Sequence, residues 1–207
     1  MPRRKVPGLA RRLLALLPGG KPRAARARHA LPTYLQPHEL EALLAAARGS
    51  SPRDHALLTV MAYAGLRVAE ACALTWGDIE ERTLRVRHGK GDKERIVPLH
   101  PRVLEALAEC REIPQKRNIY VFPGQRPGRP LTTRAVQHLM VRLGTAAGLD
   151  RSKLHPHTLR HTAATMLLRR TGNLILVQRF LGHASVSTTQ IYTHVALDEL
   201  AAAVEQL

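Results

Sequence analysis

For most of its length the chain places apolar residues at helical spacing. The stretch LQPHELEALLAAARG, beginning at Leu35, reads as a helix with Pro37 near its first turn and Gly49 at its end. SPRDHALLTVMAYAG repeats the pattern: Ser51 as cap, Pro52 next, Asp54 in the first turn and Gly65 at the stop. A short third helix is expected over Arg67–Thr75. The texture then changes. TLRVRH alternates apolar and polar residues, GKGDK follows, and ERIVPL alternates again. That pattern predicts a β-hairpin with a charged, glycine-containing tip. A short strand around Asp78–Glu80 is expected beside it. Helical spacing resumes at about 101–111, 133–147, 156–171, 174–181, 186–194 and 197–205, with Gly148 and Gly172 as stops. There is no internal repeat and no long low-complexity run. The expected fold is mainly α with a small antiparallel β-sheet, an α+β class.

The 207 residues fit one domain, or one domain with an appendage. Charge sharpens the picture. Lys and Arg number 32 against 16 for Asp and Glu, a net charge of +16, which points to a polyanionic partner such as nucleic acid. The surplus is uneven. Residues 1–30 hold nine basic residues (Arg3, Arg4, Lys5, Arg11, Arg12, Lys21, Arg23, Arg26 and Arg28) and no acid. The remaining 177 residues hold 23 basic and 16 acidic ones. Residues 1–30 therefore read as a flexible basic arm that lies along phosphates, and residues 31–207 as the folded domain. The Leu13–Leu17 stretch is too short to span a membrane or form a signal-peptide core. Cys72 and Cys110 lie 38 residues apart without a Cys-x-x-Cys motif, so a reducing cytoplasm is expected. Aromatics make up only 3%, too few for a base-stacking single-strand binder, which leaves duplex DNA held by its phosphates.

Six polar residues carry the candidate chemistry: Arg67 in AGLRVAE, Lys90 in HGKGDKER, His157 and Arg160 in HPHTLRH, His183 in LGH, and Tyr192 in TTQIYTH. Each has an ordinary structural reading when taken alone. Arg67 and Arg160 could be ion-paired, Lys90 a solvated turn lysine, and Tyr192 a half-buried helix tyrosine. As a set they supply what strand cleavage by transesterification needs. A phenol can attack phosphorus, two guanidinium groups can grip phosphate oxygens bidentately, an ammonium can protonate the leaving oxygen, and two imidazoles can move protons or donate hydrogen bonds. Glu70, three residues after Arg67, can brace that guanidinium. His157 and Arg160 are three apart near a helix start, so they share a face beside an anion-favouring terminus. A tyrosine of pKa about 10 is about one-thousandth phenolate at pH 7; ionising it costs about 4 kcal/mol, which nearby cations and a general base can supply. His155, His157 and His161 lack a fitting acidic or thiol ligand, and Asp78, Asp92 and Glu94 form no evident cluster, so no metal is expected.

These segments resemble the catalytic domain of tyrosine recombinases, the phage-integrase family, and most closely its Xer type. The resemblance rests on AGLRVAEACALTWGDI, VRHGKGDKERIVPL, HPHTLRHTAATMLL and VQRFLGHASVSTTQIYTHV, and it runs continuously through Leu31–Val195. It implies that Tyr192 attacks the scissile phosphate to form a 3′-phosphotyrosyl link and release a 5′-hydroxyl. Arg67 and Arg160 would hold the non-bridging oxygens, His157 would assist proton transfer, Lys90 would be the general acid and His183 would donate a hydrogen bond to the phosphate. No metal, nucleotide or other cofactor is implied. Lys93 and Arg95 on the hairpin are expected to join the arm in binding DNA.

The implied function is site-specific recombination of double-stranded DNA by a dimer or tetramer, with a helper or a related recombinase as a further partner and no membrane. The alternatives are a non-catalytic DNA-binding regulator derived from a recombinase, and type IB topoisomerase-like relaxation. In the family a separate helical core-binding domain precedes the catalytic one; here only the basic arm precedes Leu31. The tail THVALDELAAAVEQL carries an apolar stripe of Leu197, Leu200, Ala201 and Val204, suited either to a neighbouring subunit or to its own domain.

Overall fold

The structure is a computed structural model and describes residues 33–87, 94–112 and 118–182. Within them the fold is mainly α with one small antiparallel sheet. Seven helices are present among the described residues: α1 (Pro37–Ser50), α2 (Pro52–Ala64), α3 (Val68–Ala73), α4 (Pro101–Arg111), α5 (Thr133–Ala146), α6 (Pro156–Thr171) and α7 (Leu174–Leu181). The sheet pairs β1 (Thr83–Val86) with β2 (Arg95–Pro98). The helices expected at 186–194 and 197–205, the hairpin tip and the basic arm lie outside the described residues.

The helix ends follow local chemistry. Ser51 Oγ accepts from the Asp54 backbone N–H at 3.1 Å, capping α2 as its sequence predicts. At the other end Gly65 takes a left-handed conformation, φ 61°. A side chain at that position would meet Phe180 Cε1 at 2.6 Å, so both backbone and space call for glycine. The turn this creates delivers Arg67 to the N-cap of α3.

Helix α2 is apolar nearly all round and is buried from Asp54 to Ala62. It packs against α1, α3, α4 and α6, and forms the axis of the main core with Leu40, Leu43, Met61, Phe122 and Met140. A smaller cluster of Ala164, Leu168, Val177 and Leu181 joins α6 to α7. No described helix is long and apolar enough to cross a membrane.

The strand register is Thr83↔Pro98, Leu84↔Val97, Arg85↔Ile96 and Val86↔Arg95. Leu84, Val86 and Val97 are buried, whereas Ile96 is 65% exposed. The strand expected around Asp78–Glu80 is not there. Trp76–Asp78 forms a 3-10 turn instead, followed by a single bridge between Ile79 and Leu84. The cause is Asp78, whose carboxylate accepts from the Thr75 N–H at 3.0 Å and the Thr75 hydroxyl at 2.6 Å, closing the backbone into a turn.

Candidate active site

The two candidate phosphate-binding arginines reach the same carboxylate from different elements. Arg67, at the N-cap of α3, donates Nη1–H to Glu70 Oε1 at 2.8 Å. Its backbone N–H donates to Glu70 Oε2, also at 2.8 Å. Arg160, on α6, holds Nη1 at 4.0 Å from Glu70 Oε2. The Arg160 side chain is 7% exposed and that of Arg67 is 37% exposed, so Arg67 presents the larger surface to a ligand.

Helix ends orient Arg160. Its Nη1 donates to the Gly65 carbonyl at 2.6 Å, at the C-cap of α2, and its Nη2 to the Leu181 carbonyl at 2.7 Å, at the last residue of α7. Carbonyls at a helix C-terminus lack intrahelical partners and carry the negative end of the helix dipole, so a buried guanidinium suits them. His157 lies exposed on the first turn of α6, three residues before Arg160.

Arg95, expected among the hairpin residues that bind DNA, lies deeper than an outward-facing charge. Its side chain is 9% exposed and turns inward. Nη1 donates to Glu70 Oε1 at 3.1 Å, Nη2 to Glu70 Oε2 at 2.9 Å and Nε to the Phe180 carbonyl at 3.2 Å. The strand explains this. Side chains two apart share a face, so Arg95 goes in with Val97 while Ile96 points out. That alternation is written in the sequence, and it is the signal that would have separated Arg95 from the hairpin's outward-facing charges.

Three guanidinium groups thus surround one carboxylate, an excess of positive charge suited to a phosphodiester. Burial by itself raises the Glu70 carboxyl. The hydrogen bonds from Arg95 and the Arg67 backbone, together with the Arg95 charge, outweigh it and hold the group at about 2. His161, one turn beyond His157, is pushed down to about 4, first by burial and then by the positive charge of His157 and Arg160. Among the described residues no three His, Cys, Asp or Glu side chains gather as a metal-binding group. Lys90, Lys93, His183, Tyr192 and the arm residues Arg3 to Arg28 lie outside the described residues.

A second basic feature was not evident from sequence. A groove of about 1250 Å³ runs beside α3 and α5 and is lined by Arg53, Arg126, Arg129 and Arg142. Two of these are held in place by the buried Asp54, at 2.8 Å for Arg53 Nη2 and 3.2 Å for Arg142 Nη2.

Residues 33–199 match the phage integrase family. The chain belongs to that family. Among other phage integrase family proteins, it is 38% identical over 197 residues to tyrosine recombinase XerC of Xanthomonas axonopodis pv. citri, covering 93% of this chain and 64% of the relative. The crystal structure of XerA recombinase superposes with a TM-score of 0.74 at 40% identity, covering 83% of this chain and 64% of XerA. XerH site-specific recombinase, bound to a palindromic difH substrate in a post-cleavage complex, superposes with a TM-score of 0.71 at 35% identity, covering 84% of this chain and 53% of XerH. The chain therefore spans less than two thirds of each of these relatives.

Proposed function

We propose that this protein is a site-specific DNA recombinase that cuts and rejoins double-stranded DNA through a 3′-phosphotyrosyl intermediate. The observation that carries the reading is the convergence of Arg67 and Arg160 on Glu70 within a phage-integrase fold. Two guanidinium groups gathered at one carboxylate supply the donors and the positive charge that a phosphodiester entering a transesterification needs. The relatives named above are recombinases, and XerH is described in complex with its DNA substrate.

In this reading Arg67 and Arg160 bind the two non-bridging oxygens and stabilise the charge that grows on them. The Tyr192 phenol oxygen attacks phosphorus as its proton passes to His157. The bond to the 5′-oxygen breaks, that oxygen takes a proton from Lys90, and His183 donates a hydrogen bond to the phosphate. The products are a 3′-phosphotyrosyl link and a free 5′-hydroxyl. Attack by the 5′-hydroxyl of another strand reverses the step, so bond energy is conserved without a nucleotide or metal. Residues 31–207 form the breaking-rejoining domain, and the arm at 1–30 binds phosphates. A dimer or tetramer on DNA, assisted by a helper or a related recombinase, would bring the strands together in the cytoplasm.

Covalent trapping in cells tests this directly. Cells are lysed under denaturing conditions, the protein is recovered, and attached DNA is sequenced, with Tyr192→Phe as control. A discrete set of sites that vanishes in the mutant is expected. Recovery that is diffuse and independent of Tyr192 would overturn the assignment and favour a DNA-binding regulator.

A further inference from the structure

We propose that Arg95 is a positioning residue for strand cleavage: it locks the Glu70 carboxylate, and through it Arg67, and fastens the hairpin to the paired arginines. The proposal rests on the recombinase reading above for the step it serves, and on four observations for its mechanism.

Arg95 grips both oxygens of Glu70, a bidentate geometry that fixes a carboxylate in rotation as well as position. The same carboxylate receives both the backbone N–H and a guanidinium N–H of Arg67, so its orientation sets where Arg67 points. Arg95 Nε also reaches the Phe180 carbonyl, one residue before the Leu181 carbonyl that holds Arg160. Finally, the backbone makes room for the side chain. At Gly182, φ 65°, an added Cβ would lie 2.8 Å from Arg95 Cδ.

One side chain thus joins β2 to the start of α3, which holds Arg67, and to the end of α7, which with the end of α2 holds Arg160. Lys90, the proposed general acid, stands five residues before Arg95 in the sequence. With its side chain only 9% exposed, Arg95 acts through Glu70 rather than on the phosphate.

The test uses the full chain and a nicked duplex carrying a site recovered by the trapping experiment. Arg95→Ala is expected to slow single-turnover cleavage roughly 10- to 100-fold, the usual effect of removing a partner that orients a functional side chain. The dissociation constant for the duplex should stay within about twofold, because no phosphate contact is lost. Arg95→Lys, which keeps the charge but loses the fork, should fall between wild type and Arg95→Ala. It also serves if the alanine variant fails to fold. Combining Arg95→Ala with Glu70→Gln should be no slower than the slower single variant, since both break one link. Additive losses, or weaker binding at an unchanged cleavage rate, would overturn the proposal. A second readout needs no cleavage. In free protein with ¹⁵N-labelled arginine, the Arg67 guanidinium N–H signals should exchange slowly in wild type and fast in Arg95→Ala. Unchanged exchange would overturn the proposal even if Tyr192 proves not to be the nucleophile, and faster exchange would support it in that case too.

Discussion

Glu70 shows how much one buried side chain can decide. Facing three guanidinium groups, it stays ionised through the ordinary acid range. Its folded pKa of about 2 lies below the usual 4.5, so its contribution to stability is fully present above pH 4.5 and is lost as pH falls toward 2. His161 acts in a higher window. Held near 4 against an ordinary 6.5, it stays neutral in the fold while the unfolded chain takes up a proton, so stability falls between pH 6.5 and 4. Thermal denaturation from pH 7.5 to 4 should show this upper loss, and His161→Asn should reduce it, with His55, also held below its ordinary value by burial, contributing to the remainder. The arginines separate by burial. Arg67→Ala and Arg160→Ala should each slow cleavage by at least about 10²-fold, the usual cost of losing a charge-stabilising donor. Only Arg160→Ala should also cost about 1–3 kcal/mol in stability, because it strands the buried Gly65 and Leu181 carbonyls. Single-turnover cleavage and chemical denaturation of the same two variants check both statements.

Local signals predicted the elements well where one residue sets the backbone. Ser51, Pro52 and Gly65 bound α2 because a cap oxygen, a fixed φ and a left-handed turn are each satisfied within a few residues. The same logic predicts opposite effects at two glycines. Gly65→Ala should cost about 1–3 kcal/mol from its positive φ, with the Phe180 contact adding to it. Gly49→Ala, inside α1 with open space around it, should instead stabilise by about 0.5–1 kcal/mol. Comparing the two denaturation midpoints with wild type tests both. Where the deciding contact is remote, the sequence was harder to read. Val121 and Phe122 are fully buried in an irregular segment whose backbone bonds to Leu74 and Leu131, partners no local pattern reveals. The strand expected around Asp78–Glu80 gives way to a turn because the Asp78–Thr75 bonds close the backbone just before it. Arg95 was legible in principle, since period two in RIVP places it on the face of Val97. Its partner Glu70 lies 25 positions away and was visible only as a brace for Arg67.

At the scale of the whole molecule the positive charge has a geography. The sequence separates an acid-free first segment from a remainder that mixes 23 basic with 16 acidic residues, and within that remainder the fold gathers arginines around Glu70 and along the groove beside α5. Deleting residues 1–28 should weaken DNA binding and flatten its dependence on salt, by about 0.9 in the logarithmic slope for each phosphate contact removed. Binding measured from low to moderate salt gives that slope, and an unchanged value would show that the arm does not touch phosphates. The network around Glu70 also bears on protein engineering. Arg67, Glu70, Arg95, Arg160 and the carbonyls of Gly65, Phe180 and Leu181 behave as a single heritable unit scattered over more than half of the chain. A crossover between Arg67 and Leu181 in a shuffled library hands some members to one parent and some to the other. Chimeras between relatives will keep their fold and chemistry only when both parents supply the same set, whatever their overall similarity.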